Sequence, residues 1–119
     1  MTNSLKVTLA RTGSTIVAKC FEAKTMRTRL VGLLGHDKLD ADEALLLMPC
    51  NHVHTWFMRF PIDAVFLNRD DEIVGIDELA PWKLSRLHWK SRKVLELPAG
   101  TAQKMSLRPG DRLEFTCSK

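Results

Sequence analysis

Apolar and polar residues alternate along both ends of the chain, and the alternation breaks down in two central stretches. Leu5-Lys6-Val7-Thr8-Leu9 sends every second side chain to one face, and Thr15-Ile16-Val17-Ala18-Lys19-Cys20-Phe21 is rich in β-branched and apolar residues. Arg11-Thr12-Gly13-Ser14 between them is turn chemistry, so the pair predicts an opening hairpin. Met26, Leu30, Leu33 and Leu34 then fall at i, i+4, i+7 and i+8. This spacing predicts a short amphipathic helix over residues 25–34, with Thr25 at its start and Gly35 at its end.

Ala44-Leu45-Leu46-Leu47-Met48 is apolar on both faces and is stopped by Pro49, which predicts a fully buried strand. Asp63 to Leu67 and Glu72 to Ile76 flank the turn-rich Asn68-Arg69-Asp70-Asp71 and predict a second hairpin. Residues 81–92 follow no period, and a loop of that length in a small domain usually binds something or moves. Lys93 to Leu97 reads as a strand, Pro98-Ala99-Gly100 as a turn and Thr101 to Ser106 as a helical turn. Arg108-Pro109-Gly110-Asp111 is a further turn before a half-exposed strand, Arg112 to Cys117. The expected fold is mainly β, a compact single-domain β-barrel or sandwich with one or two short helices.

Composition narrows this picture. A chain of 119 residues suits one core and is too short for two, so residues 1–119 read as one domain that needs neither metal nor disulfide to fold. Cys20, Cys50 and Cys117 are odd in number and widely spaced, which fits neither a disulfide framework nor a zinc ribbon and suits a reducing compartment. No basic stretch followed by an apolar core opens the chain, and no apolar run approaches the ~20 residues of a membrane span. The expectation is a soluble, cytoplasmic protein. A net charge of +4 favours anionic partners mildly and does not by itself demand nucleic acid.

The polar run Cys50-Asn51-His52-Val53-His54-Thr55, leading into Trp56-Phe57-Met58-Arg59, is the first candidate surface. If it were extended, period two would put Cys50, His52, His54, Trp56 and Met58 on one side. His52 and His54 could then share a transition metal, whereas no other cofactor is expected. Alternatively, Asn51, His52 and Thr55 hydrogen-bond the backbone of an irregular segment. Between these lies a polar cleft for a small molecule or peptide, lined by Asn51, His52, His54, Thr55, Met58 and Arg59 with Asp63 close by. Arg59 and Asp63 could instead pair with each other while Phe57 or Phe60 fills the core.

Glu96 alternates with Leu95 and Leu97 and faces away from both. If enclosed it must be paired, and beside His52 or His54 it or Asp63 would serve a metal-assisted or acid–base hydrolase. The stretch from Trp82 to Lys93 holds Trp82, Lys83, Arg86, His88, Trp89, Lys90, Arg92 and Lys93 without a single acid. That mixture suits phosphate contacts and base stacking, or else a solvated loop balanced by Asp70, Asp71, Glu72, Asp77 and Glu78 upstream. No Gly-rich phosphate loop, nucleophile elbow or H-E-x-x-H motif is present, which points toward a binding module rather than a familiar enzyme.

Four ordered blocks carry a resemblance: Arg29-Leu30-Val31-Gly32-Leu33-Leu34; Met58 leading to Pro61-Ile62-Asp63-Ala64-Val65-Phe66-Leu67; Val94-Leu95-Glu96-Leu97-Pro98-Ala99-Gly100; and Pro109-Gly110-Asp111-Arg112-Leu113. Over residues 5–117 the chain resembles the family known as domain of unknown function 192. The resemblance implies a mainly β fold and carries over no activity and no catalytic residue. The chain departs from the family pattern at Leu34, where Met is frequent, at Asp71, where Gly is frequent, and at Trp56, which stands one position early.

Overall fold

The computed structural model describes residues 4–23, 39–55 and 59–117. Seven strands form one sheet: β1 (Leu5–Leu9), β2 (Thr15–Ala23), β3 (Glu43–Leu47), β4 (Ile62–Leu67), β5 (Ile73–Leu79), β6 (Lys93–Pro98) and β7 (Leu113–Cys117). A one-turn helix, α1 (Thr101–Lys104), follows β6. The order across the sheet is β5-β4-β6-β3-β2-β1-β7, with every neighbour antiparallel except β2 and β3. Both predicted hairpins, the buried strand and the final strand are present. The predicted helix over residues 25–34 lies outside the described residues.

The second hairpin shows how local chemistry sets a turn. Asn68 Oδ1 accepts the N–H groups of Asp70 and Glu72 at 2.9 and 3.0 Å, while its Nδ2 donates to Glu72 Oε1 at 3.0 Å. This side-chain mimic of a turn carries Asp71 into the left-handed region at φ 62°, a conformation Asp tolerates better than most residues with a side chain.

The two outer strands of the sheet meet. Ile73 N–H donates to Asp111 O at 2.8 Å, Gly110 N–H to Ile73 O at 2.8 Å and Leu113 N–H to Asp71 O at 2.9 Å, with Glu72 and Arg112 bridged between them. The sheet therefore curls into a partly closed barrel. One curled sheet satisfies the barrel form of the expectation and replaces the sandwich. Asp111 secures the closing turn. It accepts Arg11 Nε at 3.0 Å, Arg11 Nη2 at 3.3 Å and Arg108 N–H at 3.2 Å, which ties this turn to the β1–β2 turn.

Cross-strand register sorts the side chains into two cores. Val7, Leu9, Val17, Ala44, Leu46, Val65, Leu67, Leu95, Leu97 and Leu113 fill the barrel interior, joined by Ala102 and Leu107 from α1 and the turn after it. Leu45, Leu47, Ile62, Ala64, Phe66, Leu79 and Val94 form the outer face, packed under Val53 and Phe60. β4 is buried along its whole length, and β6 from Val94 to Leu97. Burial on both sides explains why they read as continuous apolar runs rather than as alternating strands.

Gly110 takes φ 98° in the closing turn, where a Cβ meets no neighbour but the backbone conformation is strained for any other residue. Gly110→Ala is expected to lower stability by about 1–2 kcal/mol in urea melts.

Candidate functional site

The outer face is covered by two segments that cross it side by side. Residues 50–55 leave β3 after Pro49, and residues 80–92 return from β5 to β6. Neither segment is a strand of the sheet, yet they are joined backbone to backbone. Cys50 N–H donates to Arg92 O, His88 N–H to Asn51 O, Ser85 N–H to Val53 O, Thr55 N–H to Lys83 O and Trp82 N–H to Thr55 O, all at 2.8–2.9 Å. Buried hydroxyls complete the seam. Ser85 Oγ accepts Val53 N–H at 2.9 Å, Ser91 Oγ lies 3.0 Å from Cys50 O, and Thr55 Oγ1 donates to Ala80 O at 2.6 Å while accepting Lys83 N–H at 2.8 Å. The long loop seen in the sequence is thus an ordered cover whose polar residues satisfy backbone groups that no strand partner reaches.

This arrangement redistributes the predicted cleft. Thr55 is fully buried and its hydroxyl is taken up by the seam, so it lines no cleft. His52 is exposed, with Nδ1 3.0 Å from Asn51 Oδ1, and Cys50 Sγ donates to His52 O at 2.9 Å. His54 is half-buried and bridges Leu84, while Arg59 is exposed and Met58 lies outside the described residues. Asn51 borders a cavity of about 350 Å³ with Cys50, Trp89, Ser91 and Arg92. One residue of the first predicted set thereby meets two of the second.

Asp63 belongs elsewhere. Its register partner on β6 is Leu97, whereas Glu96 pairs with Ala64, so the two carboxylates stand on opposite faces of the sheet and no single site holds both. Asp63 points into the barrel interior, where Oδ2 accepts Gly100 N–H at 3.0 Å and Ala102 N–H at 2.9 Å. It fastens the turn into α1. Oδ1 has no hydrogen-bond partner among the described residues. Burial raises the Asp63 pKa above its ordinary value more than these two N–H groups lower it, and Glu78 adds to the rise. Ile62 and Ala64, its neighbours in β4, face the outer side, so alternation along the strand turns Asp63 inward, away from the cover.

Asp77, one of the five upstream acids expected to balance the basic stretch, does so for Arg86 and His88, although the sequence did not single it out as a site residue. It lies on the outer face of β5, opposite Ala64, and is buried. Arg86 Nη2 reaches its Oδ1 at 2.9 Å, while Arg86 N–H and His88 Nε2 reach Oδ2 at 3.1 Å each. Burial acts to raise the Asp77 pKa, but the hydrogen bonds from Arg86 and His88 outweigh it and hold the carboxyl below its usual value. The His88 ring lies 3.9 Å from the Phe66 ring centroid and directly on Gly75. A Cβ there would stand 2.4 Å from His88 Cε1. One imidazole nitrogen faces Asp77 and the other lies over Gly75, so His88 anchors the cover and is not presented to a ligand. The readable signal was Gly75, Asp77 and Leu79 at period two, an acid among positions that must be enclosed.

Of the predicted basic stretch, Arg86 and His88 are therefore bound to Asp77, and Lys93 Nζ pairs with Asp71 and lies 5.8 Å from the Phe115 ring centroid. Trp82, Lys83, Trp89, Lys90 and Arg92 are exposed. Among the described residues no three His, Cys, Asp or Glu side chains converge as a metal-binding group. A groove of about 710 Å³ has no counterpart among the sequence expectations. It runs along the edge of β5 from Ile76 to Leu79, between Leu84–Arg86 on one side and α1 with Leu107 and Arg108 on the other.

Two outcomes follow from the carboxylates. Asp63→Ala should cost about 2–3 kcal/mol by leaving two N–H groups unsatisfied, and Asp63→Asn distinctly less, since its carbonyl can still accept; urea melts distinguish them. Asp77 is more acidic folded than unfolded, so its stabilisation is present above its ordinary value of 3.8 and is lost as the pH falls through the lower folded value. Asp77→Asn should lower stability at neutral pH by about 2 kcal/mol and flatten the acid-side fall in a pH series of melts.

The comparisons with known proteins agree with this architecture. A crystal structure from Sinorhizobium meliloti, of a protein provisionally named a transcription regulator, superposes with a TM-score of 0.76 at 27% identity. It covers 97% of this chain and 94% of that one. A protein of unknown function from Novosphingobium aromaticivorans superposes with a TM-score of 0.77 at 21% identity, covering 93% and 83%. A UPF0127 protein of Pyrococcus furiosus is 38% identical over 63 residues and one of Pyrococcus abyssi 29% over the same length, each match taking in 53% of this chain and 54% of the relative. The chain spans about half the length of the curated relatives it matches. The model of the DUF192 family, described as an uncharacterized ACR, matches residues 7–115, and the chain belongs to that family.

Proposed function

We propose that this protein is a binding module that takes an extended peptide segment along the edge of β5. The carrying observation is the 710 Å³ groove whose floor is a strand edge. Ile73 spends its outward N–H and C=O on closing the barrel, but among the described residues no backbone–backbone hydrogen bond reaches Val74–Leu79 on the side away from β4. Antiparallel alternation turns the N–H and C=O of every second residue there toward the groove. An added strand would be held by these groups, with its side chains alternating between the two walls. The walls offer Leu84 on one side and Leu107 with Arg108 on the other, which suits a segment carrying apolar and acidic side chains.

A small anionic molecule in the 350 Å³ seam cavity is the second reading. It is favoured by the grouping of Asn51 and Ser91, which can hydrogen-bond, with Arg92 for charge and the face of Trp89 for stacking.

A display library of random linear peptides, selected on the folded protein, tests the first reading. Recovered peptides should shift the amide resonances of Ile76–Leu79, lose at least about tenfold in affinity to Gln103→Trp, which fills the groove, and fail when alternate peptide amides are N-methylated. Shifts centred instead on Asn51, Ser91 and Arg92 would move the site to the seam. Recovery of no peptide above background would remove strand addition as the function.

A further inference from the structure

The large hydrophobic side chains exposed among the described residues are Met48 at 39%, Trp82 at 59%, Leu84 at 61%, Leu87 at 47% and Trp89 at 83%. Four of them lie in the second cover segment, and Met48 lies two residues before the first. Four exposed apolar side chains within the eight residues from Trp82 to Trp89 mark an interaction surface, since proteins rarely keep such a run exposed without use. The cover is amphipathic without being a strand or a helix. Ser85 and Ser91 are buried and His88 is packed on Gly75, while Trp82, Leu84, Leu87 and Trp89 are turned out.

Charge decides what fits it. Lys83, Arg86, Lys90 and Arg92 are exposed among these hydrophobic residues, and no Asp or Glu occurs between Leu79 and Leu95. The partner must present negative charge beside apolar matter. Indole rings suit the boundary between lipid headgroups and acyl chains, and Lys and Arg suit headgroup phosphates. Nucleic acid would use the tryptophans and the cations but would leave Leu84, Leu87 and Met48 in water, whereas a bilayer accepts all of them.

We propose that the cover is a peripheral docking surface for an anionic phospholipid bilayer. Trp82 and Trp89 sit at headgroup depth, Leu84, Leu87 and Met48 enter the acyl boundary, and Lys83, Lys90 and Arg92 meet the phosphates. The surface is preformed by the seam, so docking orders little backbone. It does not depend on the peptide groove, because Leu87, Trp89 and Lys90 do not line that groove.

Sedimentation with vesicles of phosphatidylcholine and phosphatidylglycerol in equal parts, against phosphatidylcholine alone, tests the proposal. The protein should pellet with the anionic vesicles at low salt and release at high salt. Its tryptophan emission should shift to the blue and be quenched by brominated acyl chains, and both signals should vanish in Trp82→Phe/Trp89→Phe, which keeps Trp56. Leu87→Ala/Trp89→Ala and Lys83→Glu/Lys90→Glu should each weaken vesicle binding at least about tenfold. Their melting curves should stay unchanged because these side chains are exposed. Absence of pelleting at low salt overturns the proposal. So does salt-sensitive binding of single-stranded DNA or RNA by a protein that ignores vesicles, which would assign the surface to nucleic acid instead.

Discussion

A strand buried on both faces has to be covered twice, and that requirement shapes this molecule. β4 and β6 are adjacent inner strands of the sheet with apolar side chains on each side. The barrel interior covers one face by curling the sheet upon itself. The other face needs a separate layer, and the chain supplies it from two connections that would otherwise be loops. Burying each large side chain beneath that layer, such as Ile62, Phe66 or Val94, contributes on the order of 1.5–3 kcal/mol, enough to hold an irregular cover in place provided its own polar groups are satisfied. Thr55, Ser85 and Ser91 meet that condition, and the Asp77–Arg86–His88 cluster pins the layer to the sheet.

What was legible in the sequence follows from this division. The hairpins were readable because alternation and turn chemistry are local. Leu5 to Leu9 shows its two faces within five residues, and Asn68 makes its turn with its own neighbours. β3, β4 and β6 were readable as strands because uninterrupted apolar runs bounded by Pro and turn residues have few other uses. The cover was readable only in part: Thr55 as a bonding partner for irregular backbone and the acids that balance the basic stretch were, the pairing of the two segments was not. Its order comes from partners about thirty to forty residues away, such as Ser85 with Val53 or Ser91 with Cys50, and no periodicity records a bond of that range.

The candidate site was legible as a region and only partly as chemistry. The run from Cys50 to Thr55 and the stretch from Trp82 to Lys93 were picked out separately, and the structure lays one against the other. Their roles divided along burial. Thr55 and His88 turned inward and hold the cover down; Asn51, Trp89 and Arg92 stayed at the surface. Asp63 was placed with the histidines by proximity in sequence, yet strand alternation sends it through the sheet to the opposite side, where it organises a turn.

The place of β3 has a consequence in time rather than in space. It pairs in parallel with β2 and antiparallel with β6, and each pairing joins segments separated by long stretches of chain. Neither pairing returns its free energy until a large loop has closed, so the local hairpins can form early while the sheet that unites them waits. Such a topology belongs with slowly folding β proteins, on the order of milliseconds to seconds. During that interval the apolar faces of β4 and β6 stand uncovered, which makes the nascent chain most prone to aggregation before the cover has closed over them.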